Sequence, residues 1–269
     1  MSETLGDGVR DSGVDARAVV APGVLLPQGV EVGPYAVIRG AVRLDAGVVI
    51  AAHTVIDGTV WVGRGARLGP YACVGQPAQD RLADPQAGGV EIGAGAVVRE
   101  FATVHRGASR GGVESWTRLG AGVYVMTQAH IAHDCALGPG VTVANGAMLG
   151  GHVRVGAGAM ISARAMVHQH VRVGRLAFVA GAALVERDVP PFCRVDGNRA
   201  ALVGLNVLGL RRAGCDAVAL EALRVAYGQL FRCSRPLAES CAALAAQPQH
   251  PWVAELVDFI GTSCRGICR

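Results

Sequence analysis

One periodicity constrains this chain more than any other property. Every sixth residue from Val20 to Val74 is aliphatic, through Leu26, Val32, Ile38, Leu44, Ile50, Ile56, Val62 and Leu68. The phase returns at Ile92, Val98 and Val104, then runs from Leu119 to Val185 without a miss. Four residues after each aliphatic the side chain is nearly always small, as at Ala36, Ala66, Ala102, Ala129, Cys135 and Ala165. Gly often follows the aliphatic directly, as in Leu119-Gly120 and Val155-Gly156. An α-helix repeats its apolar face every three or four residues. A meander of hairpins needs turn signals every ~8–12 residues. Period six fits a short strand plus a corner, stacked as a parallel β-helix in which three units make one triangular coil. The aliphatic fills the interior, the small residue lets the corner close, and Gly frees the backbone at the bend.

Two stretches interrupt the repeat. Residues 75–90, with Gln79-Asp80-Arg81, leave its phase intact. Residues 105–118, with His105-Arg106-Gly107 and Gly111-Gly112, shift it by three. A β-helix extrudes insertions as loops, and loops often carry function. The repeat ends at Val189-Pro190-Pro191, a pair that cannot sit inside a strand. Helices are expected from Asn206 onward. A short one ends at Arg211-Arg212 before Gly214, where cations favour the helix dipole. Asp216 caps a second that carries Leu220, Leu223, Tyr227, Leu230 and Phe231 on one face. A third spans about 237–246, and a fourth follows Pro251 with Val253, Leu256, Val257 and Ile260. The organisation expected is an N-terminal tail over 1–13, a parallel β-helix over 14–191, and a small helical domain over 192–269. The fold class is therefore all-β with an α C-terminal region.

Composition excludes several functions. Aromatics are only 4% and Gly is abundant at 38 residues, which argues against an ordinary mixed α/β core. The net charge of +4 comes from Arg alone, since Lys is absent. That charge is too mild for nucleic-acid binding, but it suits an acidic partner meeting local Arg clusters. The first residues are polar and acidic, so no secretory signal is expected. Apolar runs break well before the length of a membrane span. The eight Cys form no C-x-x-C pair, which predicts reduced thiols in a cytoplasmic protein.

The polar residues gather around Gln128-Ala129-His130-Ile131-Ala132-His133-Asp134-Cys135. Six of the eight His are His105, His130, His133, His152, His168 and His170, and none holds an inward position. Residues eighteen apart stack on adjacent coils, so His152 lies against His170 and His133 near Gly151. Three uses compete. The imidazoles fill surface corners, or three of them bind zinc, or one acts as a general base in acyl transfer. In the last case Asp134 or a carbonyl orients the base and a backbone N–H holds the oxyanion. A Gly150-Gly151 corner brings N–H groups close to a bound carbonyl. Spacing alone does not choose between metal and base.

These motifs resemble a known family. Gln79-Asp80, His105-Arg106-Gly107, Ala129 to Cys135, Gly151-His152-Val153, Val167-His168-Gln169, Asp188 to Pro191 and Gly204-Leu205-Asn206 with Gly209-Leu210-Arg211-Arg212 are similar to those of the acyl-carrier-protein-dependent UDP-N-acetylglucosamine O-acyltransferases of lipid A synthesis. The resemblance runs from about Val14 to the C-terminus. It implies a left-handed β-helix and a homotrimer with active sites between subunits. It also implies transfer of a (R)-3-hydroxyacyl chain from acyl carrier protein to the sugar 3-hydroxyl, with no cofactor or metal. By position, His133 is the implied general base, Asp134 its orienter and the Gly151 N–H the oxyanion donor. Asp80, His105, His130 and His152 line the sugar and acyl region. His168, Gln169, Asn206 and Arg212 bind the nucleotide or the pantetheine arm, and the Arg211-Arg212 surface suits the acidic carrier.

Some positions depart from the family pattern. Leu82 stands where a Lys is usual, with Arg81 beside it as a substitute, although Arg and Lys are not interchangeable. Leu208 replaces an acidic residue, Ala213 a basic one, and His170 an aromatic. They leave open whether the acceptor atom is oxygen or nitrogen. Gly181, at the position that sets chain length, points to a longer acyl chain. The related N-acyltransferase of the same pathway carries an additional N-terminal α/β domain, for which a repeat starting near Val14 leaves no room. A zinc-dependent carbonic-anhydrase-like β-helix and a non-catalytic scaffold are the remaining alternatives.

Overall fold

The computed structural model describes residues 13–247 and 249–269. The expected tail, apart from Gly13, lies outside them. Short parallel strands stack into three sheets of eleven, nine and seven strands. Val37 pairs with Val55 and Ile38 with Ile56, so each coil takes eighteen residues. The coil winds left-handed. Ile38, Ile56, Val74, Val104, Ile131, Leu149 and Val185 form one inward column with no exposed surface. Burying an Ile or Leu side chain contributes roughly 2 kcal/mol each, so repetition along the axis gives the wall its rigidity.

The two interruptions are true insertions. Val60 pairs with Val90, twelve residues beyond one coil, so the first loop preserves the six-residue phase. Val90 then pairs with Thr117, nine residues beyond a coil, and half a repeat is displaced. Both loops leave from the same corner. The Arg106 guanidinium is buried at their base and donates to the Pro85 carbonyl at 2.7 Å. Gly58 makes room for it, since a Cβ there would lie 2.2 Å from Nη1.

The sheet continues past the two prolines. Cys193–Asp196 adds to the eleven-stranded sheet and pairs antiparallel with Ala201–Leu205. This hairpin closes the end of the stack before the helices begin. They are α1 (Val207–Arg212), α2 (Ala217–Phe231), α3 (Leu237–Ala245) and α4 (Pro251–Gly261). Asp216 caps α2 by accepting from the Ala219 N–H at 2.7 Å. Leu210, Leu223, Leu230 and Leu256 pack around Phe192 in a second core. Two arginines of the last coils fasten the helices. Arg175 lies against both the Phe192 and Trp252 rings and pairs with Glu255 at 2.8 Å. Arg172 donates to the Phe259 and Thr262 carbonyls that end α4. No helix among the described residues is long and apolar enough to cross a membrane. All eight cysteines are free thiols.

Candidate active site

The corner that carries the loops also carries the histidines. Asp134, His152 and His170 occupy the same turn position on three successive coils, each with φ near +60°. Few side chains accept that conformation, and Asp and His are among the enriched ones. The imidazoles of His152 and His170 consequently stack at 4.5 Å. The residue before each, His133, Gly151 and Gln169, forms a second column beside the first. Pro34 and Pro70 hold the equivalent place in turns at another corner of the coil, so a turn of this kind requires no backbone N–H there. Among the described residues no hydrogen bond takes up the Gly151 N–H.

His133 and Asp134 form the centre of the site. His133 Nδ1 lies 2.7 Å from Asp134 Oδ2, and their side chains are 14% and 8% exposed. A carboxylate only accepts, so Nδ1 carries the proton and Nε2 of the neutral ring is left as the acceptor. Asp134 is held from several sides. Its Oδ2 also accepts from the Ala108 N–H at 3.1 Å, its backbone N–H donates to Thr117 Oγ1 at 2.9 Å, and His152 Nε2 approaches to 3.6 Å. Burial acts to raise the Asp134 pKa, but the His133 ring, the Ser115 hydroxyl and the Ala108 N–H outweigh it and hold the carboxyl at about 2. The donor atoms of His133, Asp134 and His152 also lie within 4.8 Å of one another, a spacing compatible with a metal ion.

The His133 ring lies over Gly151, where an added Cβ would stand 2.5 Å from Cε1. Above this floor opens a cleft walled by both loops. Gln79, Asp80 and Arg81 come from the first, and Ala108, Arg110, Val113 and Ser115 from the second. His152, Gln169 and His170 extend the cleft along the corner. Asp80 bonds Arg110 across the mouth. The Leu82 N–H and then the Arg110 guanidinium pull the Asp80 pKa down.

A second histidine pair sits on the flat sheet beside the corner. His105 Nδ1 is 2.7 Å from the Pro77 carbonyl, and His130 Nδ1 is 2.8 Å from Thr103 Oγ1. Their rings meet edge to face at 5.2 Å. Burial, with His105 and His133 nearby, pushes the His130 pKa down.

The remaining expected residues lie apart from the cleft in one chain. His168 is exposed and contacts Arg265 Nη2 at 3.3 Å. Asn206 is the N-cap of α1. Its Oδ1 accepts from the Gly209 N–H at 3.1 Å and its Nδ2 donates to the Leu176 carbonyl at 2.9 Å. Arg211 and Arg212 are exposed at the end of α1. Arg110, Ser115, Thr117 and His170 join the site without having been singled out as site residues from sequence. Only His170 carried a usable signal, its eighteen-residue spacing from His152.

A stack of hexapeptide coils with a histidine–carboxylate pair beneath a loop-walled cleft defines a hexapeptide-repeat transferase. The family model described as "Bacterial transferase hexapeptide (six repeats)" matches residues 117–151, and that described as "Udp N-acetylglucosamine O-acyltransferase; Domain 2" matches residues 188–268. Over 95% of its length the chain is 36% identical to 99% of the acyl-[acyl-carrier-protein]–UDP-N-acetylglucosamine O-acyltransferase of Thermodesulfovibrio yellowstonii. With the same coverage it is 39% identical to that of Thiobacillus denitrificans. The solved UDP-N-acetylglucosamine acyltransferase of Campylobacter jejuni superposes with a TM-score of 0.89 at 34% identity, over 95% of this chain and 98% of that one. That of Arabidopsis gives 0.84 at 30%, over 95% and 100%. The chain belongs to the UDP-N-acetylglucosamine O-acyltransferase family.

Proposed function

We propose that this protein transfers a (R)-3-hydroxyacyl chain from acyl carrier protein to the 3-hydroxyl of UDP-N-acetylglucosamine, the first step of lipid A biosynthesis. The observation that carries the assignment of roles is the His133–Asp134 bond, which leaves Nε2 as the free base against Gly151. Nε2 takes the proton of the sugar hydroxyl as that oxygen attacks the thioester carbonyl. The new C–O bond forms, and the Gly151 N–H holds the oxyanion. Collapse breaks the C–S bond, and the imidazolium returns its proton to the pantetheine sulfur. Asp134 steadies the imidazolium throughout and stays ionised. The step needs neither metal nor cofactor, because the carrier's phosphopantetheine thioester is the activated donor.

On this reading Asp80 and His152 face the sugar, while His105 and His130 line the region beside it. His168, Gln169, Asn206, Arg211 and Arg212 meet the nucleotide, the pantetheine arm or the acidic carrier. Of this last group only Gln169 lines the cleft within one chain. A cytoplasmic homotrimer with the site at a subunit boundary would bring the others to it. The test is a panel of hydroxyacyl carrier proteins of different chain length against the 3-hydroxy and 3-amino sugar nucleotides, read by product mass. A preference for the amino acceptor would overturn the O-acyl assignment.

A further inference from the structure

We propose that Arg110 recognises the diphosphate of the sugar nucleotide, and that it does so by exchanging Asp80 for phosphate. The inference rests on the reading above and adds a specificity residue to it. Arg110 comes from the second loop and Asp80 from the first, and their bond spans the mouth of the cleft whose floor is His133 and Asp134. The Arg110 side chain remains 54% exposed, whereas that of Asp80 is 18% exposed. Only Nη2 of the guanidinium is engaged, by Asp80 Oδ2. Among the described residues the rest of its fork of five donors is unclaimed.

A nucleoside diphosphate sugar must bring its phosphates into a cleft already lined by two carboxylates, Asp80 and Asp134. Asp134 is committed to His133 and the Ala108 N–H. The cations of the lining are Arg81 and Arg110. Arg81 is exposed and makes no ion pair among the described residues, so nothing fixes its guanidinium in the cleft, whereas Asp80 holds that of Arg110 at the mouth. Arg110 presents a planar fork that matches phosphate in a bidentate way, and a diphosphate outbids a single carboxylate for it. When Arg110 turns to phosphate, Asp80 does not collapse, because the Leu82 N–H holds its Oδ1 at 3.0 Å. The freed Oδ2 then stands in the cleft as an acceptor for a sugar hydroxyl. The exchange therefore couples recognition of the phosphates to presentation of Asp80.

The test uses the full chain and reads the two substrates separately. In Arg110→Gln the KM for UDP-N-acetylglucosamine rises about tenfold or more, the scale of one lost charge-assisted contact. Turnover and the KM for the acyl carrier donor stay within about threefold of wild type. The advantage of UDP over uridine as a ligand, measured by calorimetry, shrinks in the same variant. Arg110→Lys keeps the charge without the fork and falls between. Arg224→Gln, on the exposed face of α2, leaves all of these values unchanged. An unaltered sugar-nucleotide KM together with an unaltered UDP-to-uridine ratio in Arg110→Gln overturns the proposal. Failure of the wild type to acylate the sugar nucleotide would instead overturn the broader reading, and the calorimetric comparison would still decide the role of Arg110.

Discussion

The imidazole of His133 rests on the α-carbon of Gly151, so closely that a methyl group there would stand 2.5 Å from Cε1 and 2.6 Å from Nε2. Gly151 is thus required for what lies above it. Its glycine character serves this contact, and its free N–H is a consequence of a turn geometry that Pro34 and Pro70 share at another corner.

Substituting Gly151→Ala pushes the ring off its place while leaving the coil able to form. Turnover is expected to fall by roughly 100-fold, the usual result of an ångström-scale displacement of a catalytic group. The melting temperature should change little. Wild-type turnover in a folded Gly151→Ala protein would show that the ring position is not critical.

Asp134 sets the low-pH behaviour. Its folded pKa is depressed from 3.8 to about 2. The stability it contributes is therefore complete above about pH 4 and disappears as pH falls toward 2. Chemical unfolding followed from pH 5 to pH 2 should show this loss in the wild type and a flatter profile in Asp134→Asn.

Asn206 should behave as a helix cap when stability is measured. Asn206→Ala removes the bond to the Gly209 N–H and the bond to the Leu176 carbonyl, and is expected to cost about 1–2 kcal/mol in denaturant unfolding. Asn206→Asp keeps the first bond only and should lose less. Equal stability of all three proteins would remove the capping role.

Arg172 holds the helical region to the last coil. It reaches two carbonyls of α4, stacks on Phe259 at 4.2 Å, and lies 3.8 Å from the buried Asp188 carboxylate. Arg172→Ala leaves that carboxylate without its cation, at a cost of about 3 kcal/mol. Limited proteolysis should then release the C-terminal helices while the β-helix resists. Unchanged protease resistance would contradict this anchoring role.

The β-helix was legible because one aliphatic column runs through it with a fixed spacing. Even the phase shift of three before Leu119 has a direct counterpart in the nine-residue insertion that leads to Thr117. The pairing of His152 with His170 followed from the same spacing. The hairpin of Cys193–Leu205 was not legible, because Pro190-Pro191 reads as an end to strand structure. The chain instead turns there and its next strand rejoins the sheet at Phe178. The Arg110–Asp80 bond was hidden for a different reason. It joins two aperiodic loops, and their meeting depends on how the loops close over the corner. Asn206 was visible as a polar residue at a helix start, but its Nδ2 bond to Leu176 depends on how α1 docks against the coil.

The most direct test is the initial rate of hydroxyacyl transfer from acyl carrier protein to UDP-N-acetylglucosamine, compared between wild type and His133→Ala with a metal chelator present in both. The chelated wild type is expected to yield an acylated sugar nucleotide, and the variant a rate lower by about 100-fold or more, the scale of a lost general base. Equal rates in the two proteins, or abolition of wild-type activity by the chelator, would contradict His133 as the base of a metal-free transfer.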